Sequence, residues 1–134
     1  MQTIIVTAAI IHREEQILIA QRNKDADHGS KWEFPGGKLR FSEDPRLGLK
    51  REIKEELDMD IEVGDIFEVV SHNYGDRHIL LLCYTCHYLG QSPKTKDCQD
   101  FCWLTPEEML GYEFTEADIP VVEKLRSTRN KVKC

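Results

Sequence analysis

No stretch of this 134-residue sequence reaches the ~18 consecutive apolar residues of a membrane-spanning helix, so no membrane span or membrane partner is expected. Positive charge is in deficit: 18 Lys and Arg stand against 24 Asp and Glu, a formal net charge of −6. Such a surface does not grip a phosphate backbone, so no nucleic-acid polymer is expected as a partner. A single nucleotide is still accessible to an acidic chain if a divalent cation mediates the contact. The opening "MQTIIVTAAIIHREEQ" lacks the basic start and small-residue cleavage site of a signal peptide, and its apolar run reads as a strand. Linkers, repeats and low-complexity tracts are also missing, so residues 1–134 are expected to form a single domain.

Cysteine is present but poorly placed for metal. Cys83 and Cys86 form a C-x2-C, with Cys98 and Cys102 further on, which loosely imitates a zinc site. The surrounding "HILLLCYTCHYL" reads as a strand, where residues three apart point to opposite faces. An odd count of five and no signal peptide point to free thiols in a reducing, cytoplasmic setting.

What is present divides cleanly. "TIIVTAAIIH" and "QILIAQR" read as two strands joined by a tight turn, and "NKDADHGSKWEFPGGK" reads as loop. A helix is predicted from Pro45 to about Leu57, with Asp44 as N-cap. Two strand-like runs around "NYGD" form a long hairpin, and "DFCWL" a short strand. "TPEEML" gives a helical turn, and "FTEADIPVVEKLRSTR" the last helix. Helices packed on a mixed sheet is the architecture implied.

Within the first helix, Leu49, Ile53 and Leu57 make an apolar stripe, with Lys50 and Lys54 opposite. Glu52, Glu55 and Glu56 share a flank, where like charges repel. Gly48 lies one turn before Glu52, where it is expected to leave room beside the carboxylates for an ion and its waters. Carboxylates without His or Cys suit a hard cation held by a few acids, waters and substrate phosphates. Taken alone, the same pattern also describes a solvated helix face.

The spacing from Gly37 through Glu43 and Arg51-Glu52-Ile53 to Glu55-Glu56 and Met59 resembles the signature of the Nudix hydrolases. Asp58 stands where that pattern has its last glycine, and aspartate tolerates the positive φ such a helix end requires. "WEFPGGK", "YGDRHI" and "FTEADIPVVEKL" extend the resemblance to the MutT-like branch and its CTP pyrophosphohydrolase group.

The resemblance implies a Nudix-type α/β/α sandwich, with the box spanning residues 37–59 and helices on both faces of the sheet. It implies Mg2+, with Mn2+ as an acceptable substitute, held by Glu52, Glu55, Glu56 and the carbonyl of Gly37. Asp97 would complete the set, and Glu43 with Arg51 would brace the loop against the helix. Water would attack the β-phosphorus of a nucleoside triphosphate, its proton taken by Glu52, Glu56 or Asp97. Lys38 and Arg77 suit phosphate oxygens; Arg22, Phe34 and Asp118 match the branch's nucleoside pocket.

An ionised Asp118 would accept a hydrogen bond from the amine of cytosine, which favours (d)CTP or a modified cytidine nucleotide. Hydrolysis of 8-oxo-dGTP, with Asp118 protonated, is the alternative, and a nucleotide sensor without turnover is a third. A monomer and a homodimer both remain open.

Overall fold

The computed structural model describes residues 2–132. Its first two strands, β1 (Thr3–Arg13) and β2 (Gln16–Gln21), meet at a two-residue turn. Short strands β3 (Trp32–Glu33) and β4 (Gly36–Lys38) precede helix α1 (Pro45–Leu57). Then come the hairpin β5 (Ile61–Asn73) and β6 (His78–Tyr88), strand β7 (Asp100–Leu104), two 3-10 turns, and helix α2 (Ile119–Val132). The sheet has seven strands in the path β3-β2-β1-β6-β5, with β4 paired to β1 and β7 to β2. β1 runs parallel to β6 and antiparallel to β2 and β4, so the sheet is mixed.

Alternation along the central strands builds two cores. Ala8, Ile10, Ile17, Ile19 and Cys83 pack with Val121, Val122 and Leu125 of α2. Ala9, Ile11, Leu18, Ala20 and Cys86 pack with Leu49, Ile53 and Leu57 of α1. Successive residues of β1 thus serve opposite layers, as the period of a strand requires. The result is an α/β/α sandwich. Cys83 and Cys86 fall in different cores.

Helix α1 starts and ends as its residues dictate. The Asp44 side chain accepts from the Leu47 amide, and Pro45 occupies the first helical position, where a missing N–H costs nothing. Asp58 closes the helix at φ 53°, ψ 42°, its amide donating to the Lys54 carbonyl. After β7, the Thr105 hydroxyl accepts from the Glu108 amide while the Glu108 carboxylate accepts from that of Thr105. This reciprocal pair stabilises the turn into Glu108–Gly111.

Two expectations are corrected. Residues 23–38 are not all loop, because β3 and β4 pair with β2 and β1. Both strands are too short to show a period in sequence. Gly48 does not open space for an ion. A Cβ there would lie 2.5 Å from Leu39 Cδ2 and 2.9 Å from the Glu43 carboxyl. Its small size lets residues 39–43 pack directly on the helix.

Candidate active site

The helix flank, strand β4 and the segment before β7 converge on an acidic hollow of about 220 Å³. Arg22, Glu33, Gly36, Glu52, Glu55, Glu56 and Asp97 form most of its wall. Helical spacing puts the three box acids on one side. Asp97 reaches them because residues 94–97 are tied to the end of α1: the Lys96 and Asp97 amides both donate to the Glu56 carbonyl. Asn23 Nδ2 donates to Asp97 Oδ1 at 3.3 Å.

Gly37 sits against this hollow. A Cβ on it would lie 2.2 Å from Glu52 Oε2, so glycine is what allows the carboxylate and the strand backbone to meet. The Gly37 carbonyl accepts from the buried Thr7 hydroxyl at 3.3 Å.

Arg51 organises the outer side. Its Nε donates to Glu43 Oε2 at 2.7 Å and its Nη2 to Glu43 Oε1 at 2.8 Å, a fork on both oxygens of one carboxylate. Nη1 reaches Glu52 and Glu55 at 2.8 and 3.1 Å, and Nη2 also reaches the Lys38 carbonyl. The Arg51 fork, helped by the Arg40 amide, holds Glu43 down to about 2. Glu43 therefore contributes stability that is present above its unfolded value and lost as the pH falls towards 2. Replacing Arg51 by methionine is expected to raise Glu43 towards the ordinary glutamate value but leave it below, since the Arg40 amide still donates to it, read by NMR titration of its side-chain carbon.

Burial raises Glu52 despite Arg51. Glu56 is pushed up to about 9, chiefly by burial, then by the Glu33 charge, against the Gly36 amide. Its Oε1 is buried with no hydrogen-bond partner. An orphaned carboxylate oxygen facing other acids costs free energy unless a cation or proton joins it.

Among the described residues, no three acid, His or Cys side chains converge tightly on one point, since Arg51 draws Glu52 and Glu55 towards itself. The donor set is nonetheless all oxygen, with a lone buried acceptor and a glycine cradle, and it fits a hard divalent ion.

A second hollow, of about 210 Å³, shares Arg22, Glu33 and Gly36 with the first. Phe34, Gly37, Lys38, Arg77 and Asp118 line it, with His28, Tyr74 and Thr115. All five residues assigned to substrate thus border one cavity. Arg22 Nη1 pairs with Glu33 at 3.1 Å, and Arg77 Nη2 with Asp27 at 3.1 Å. Phe34 packs beside Phe114, ring centres 5.7 Å apart.

Asp118 is 5% exposed. It accepts from the Thr115 hydroxyl, while its Oδ1 has no partner. Burial, then the Glu33 charge, raises it to about 8. Burial thus favours its neutral form, where the sequence pointed to an ionised side chain facing cytosine. The low-dielectric surroundings decide it, and residue type alone does not reveal them.

Sequence reasoning missed Glu33, the acid common to both hollows. "WEF" read as an extended triplet would have placed Glu33 opposite Trp32 and Phe34. It missed Tyr74 as well, whose hydroxyl accepts from the Ala117 amide at 3.2 Å beside Asp118.

The family description "NUDIX domain" matches residues 6–124. The chain belongs to the Nudix family. This Nudix hydrolase is 36% identical over 129 residues to the CTP pyrophosphohydrolase of Escherichia coli K12, covering 96% of both chains. It is 31% identical over 127 residues to the 8-oxo-dGTP diphosphatase of the same strain, covering 94% of this chain and 98% of that one. The solution structure of the E. coli ORF135 protein superposes with TM-score 0.82 at 36% identity, over 96% of this chain and 92% of that one. Enzymes of this family generally use divalent metal ions. Among the described residues no helix is long and apolar enough to cross a membrane.

Proposed function

We propose that this Nudix hydrolase cleaves nucleoside triphosphates to the monophosphate and pyrophosphate, with (d)CTP or modified cytidine nucleotides preferred. The observation that carries the reading is the pair of hollows with a shared wall. One is acidic and suited to a cation; the other is largely apolar, with Lys38, Arg22 and Arg77 at its wall and Asp118 deep inside it.

In this reading Glu52, Glu55, Glu56, Asp97 and the Gly37 carbonyl hold the ion, Mg2+ for preference. When bound, it supplies charge neutralisation of the triphosphate and a more acidic water. Lys38 and Arg77 hold phosphate oxygens, Arg77 exchanging Asp27 for substrate, and Arg22 borders the nucleoside. Phe34 flanks the base. Glu52, Glu56 and Asp97 are the carboxylates placed to take the proton of the attacking water.

The cytidine preference draws on the 36% identity to a CTP pyrophosphohydrolase and on Asp118. A neutral carboxyl both donates and accepts, so it complements the N3 and N4 edge of cytosine. The same property favours a second reading. A neutral Asp118 also fits the donor and acceptor edge of oxidised guanine, and an 8-oxo-dGTP diphosphatase is 31% identical.

A panel of nucleotides with Mg2+, with products resolved by anion exchange, tests both. Asp118→Ala, which removes both the donor and the acceptor, is expected to lower the kcat/KM ratio for the preferred nucleotide by about tenfold. A panel with no turnover would sink the enzyme reading, and an unchanged ratio would sink the role given to Asp118.

A further inference from the structure

Asp58, which replaces the glycine of the family pattern, makes contacts that glycine cannot. Its carboxylate lies 3.4 Å from Lys54 Nζ and 3.5 Å from Lys94 Nζ. Lys94 opens the segment that delivers Asp97, and that segment is fastened to the end of α1 at several points. The Lys94 amide donates to the Leu57 carbonyl at 2.8 Å, and the Lys96 and Asp97 amides to the Glu56 carbonyl at 3.1 and 3.2 Å. Gln91 adds a side-chain clasp, accepting from the Asp60 amide at 2.7 Å and donating to the Asp60 carboxylate at 3.3 Å. These bonds occupy carbonyls that a helix end otherwise leaves to solvent.

The box helix and the segment bearing Asp97 therefore meet at the end of α1, where Asp58 pairs with both lysines and Asp60 lies 3.8 Å from Lys54 Nζ. Lys54 belongs to the helix and Lys94 to the segment, so one carboxylate bridges the two. Asp97 has a short side chain, and its reach depends on how closely the backbone is held.

We propose that Asp58 is a positioning residue for Asp97: it draws residues 94–97 onto the end of α1 and so sets the distance between Asp97 and the box glutamates. This rests on the reading of Asp97 as one of the acids that hold the divalent ion.

The test measures Mn2+ binding to the full chain by EPR, with melting temperature alongside. Asp58→Gly restores the family residue and suits the left-handed backbone, so the melting temperature is expected to hold or rise. Mn2+ affinity is expected to fall about threefold, the scale of an exposed ion pair, and Lys94→Met should reproduce it. In an Asp97→Ala background Asp58→Gly should cause no further loss, because nothing remains to position.

An unchanged affinity in Asp58→Gly, or an equal drop with Asp97 already removed, would overturn the proposal. If Asp97→Ala alone leaves Mn2+ binding intact, the reading of Asp97 itself falls, and the positioning role with it.

Discussion

Glu56→Gln is expected to lower kcat by about 10³-fold while making the metal-free protein more stable at pH 8. Both effects come from one buried oxygen. Glu56 Oε1 has no hydrogen-bond partner, and its carboxyl is raised to about 9 by burial and by Glu33. A group whose folded pKa lies above its unfolded value stabilises the fold at low pH. That contribution is lost as the pH rises from the unfolded value towards 9.

The wild-type protein should therefore lose stability between pH 5 and pH 9 in a way the glutamine variant does not. Allowing for relaxation around the charge, the difference at pH 8 is about 2 kcal/mol, or ~7 °C in melting temperature for a domain of this size. Added Mg2+ should stabilise the wild type more than the variant and narrow the gap. Thermal melts across pH, with and without the ion, read all of this. Equal melting curves at pH 8 without metal would mean that Glu56 is not strained in the resting enzyme.

The second large effect is expected at Gly36. A Cβ there would lie 2.0 Å from the Thr7 carbonyl oxygen and 2.9 Å from the Ala8 Cα. These are backbone atoms of β1, which is held by β6 along nearly its whole length and cannot yield as a side chain does. Gly36→Ala should push β4 off β1, breaking the register Ala8↔Gly36 and Thr7↔Gly37.

The loss is expected to be about 3 kcal/mol, with weaker Mg2+ dependence in whatever remains folded, since Gly37 would move away from Glu52. Gly111→Ala is the control: nothing lies within 4 Å of its Cβ, and its effect should stay within about 0.5 kcal/mol. A Gly36→Ala protein as stable as the control would mean that β4 does not need its close approach.

Much of this was readable in advance where the cause is local. The bounds of α1 follow from Asp44, Pro45 and the stripe Leu49-Ile53-Leu57, all of which act within a turn or two. Asp58 adopting positive φ follows from its own short polar side chain. The hairpin around "NYGD" needs only a turn and two β-rich runs, and Asn73 accepts from the Gly75 amide there. Strands β3 and β4 have no signature in the sequence, because two or three residues carry no period. They exist because β1 and β2 supply partners.

The clearest failure concerns Gly48 and Gly37. Both are glycines near acids, and only contact decides which does what. Gly48 turns out to admit Leu39 and Glu43, whereas Gly37 admits Glu52. Glu33 shows the same limit. Its place in the wall common to both hollows depends on β3 pairing with β2 and on α1 lying across the sheet.

The sequence by itself determined which residue types carry the chemistry, and their spacing along one helix, because helical geometry turns spacing into a shared face. Only the tertiary structure decided the upward pKa shifts of Glu56 and Asp118, which depend on how much water the surrounding layers exclude. It also decided the parallel pairing of β1 with β6, since strands so distant in the chain carry no local signal of their partner. The meeting of Asp97 with the box acids belongs with these, because it is made by backbone amides gripping the end of a helix some forty residues earlier.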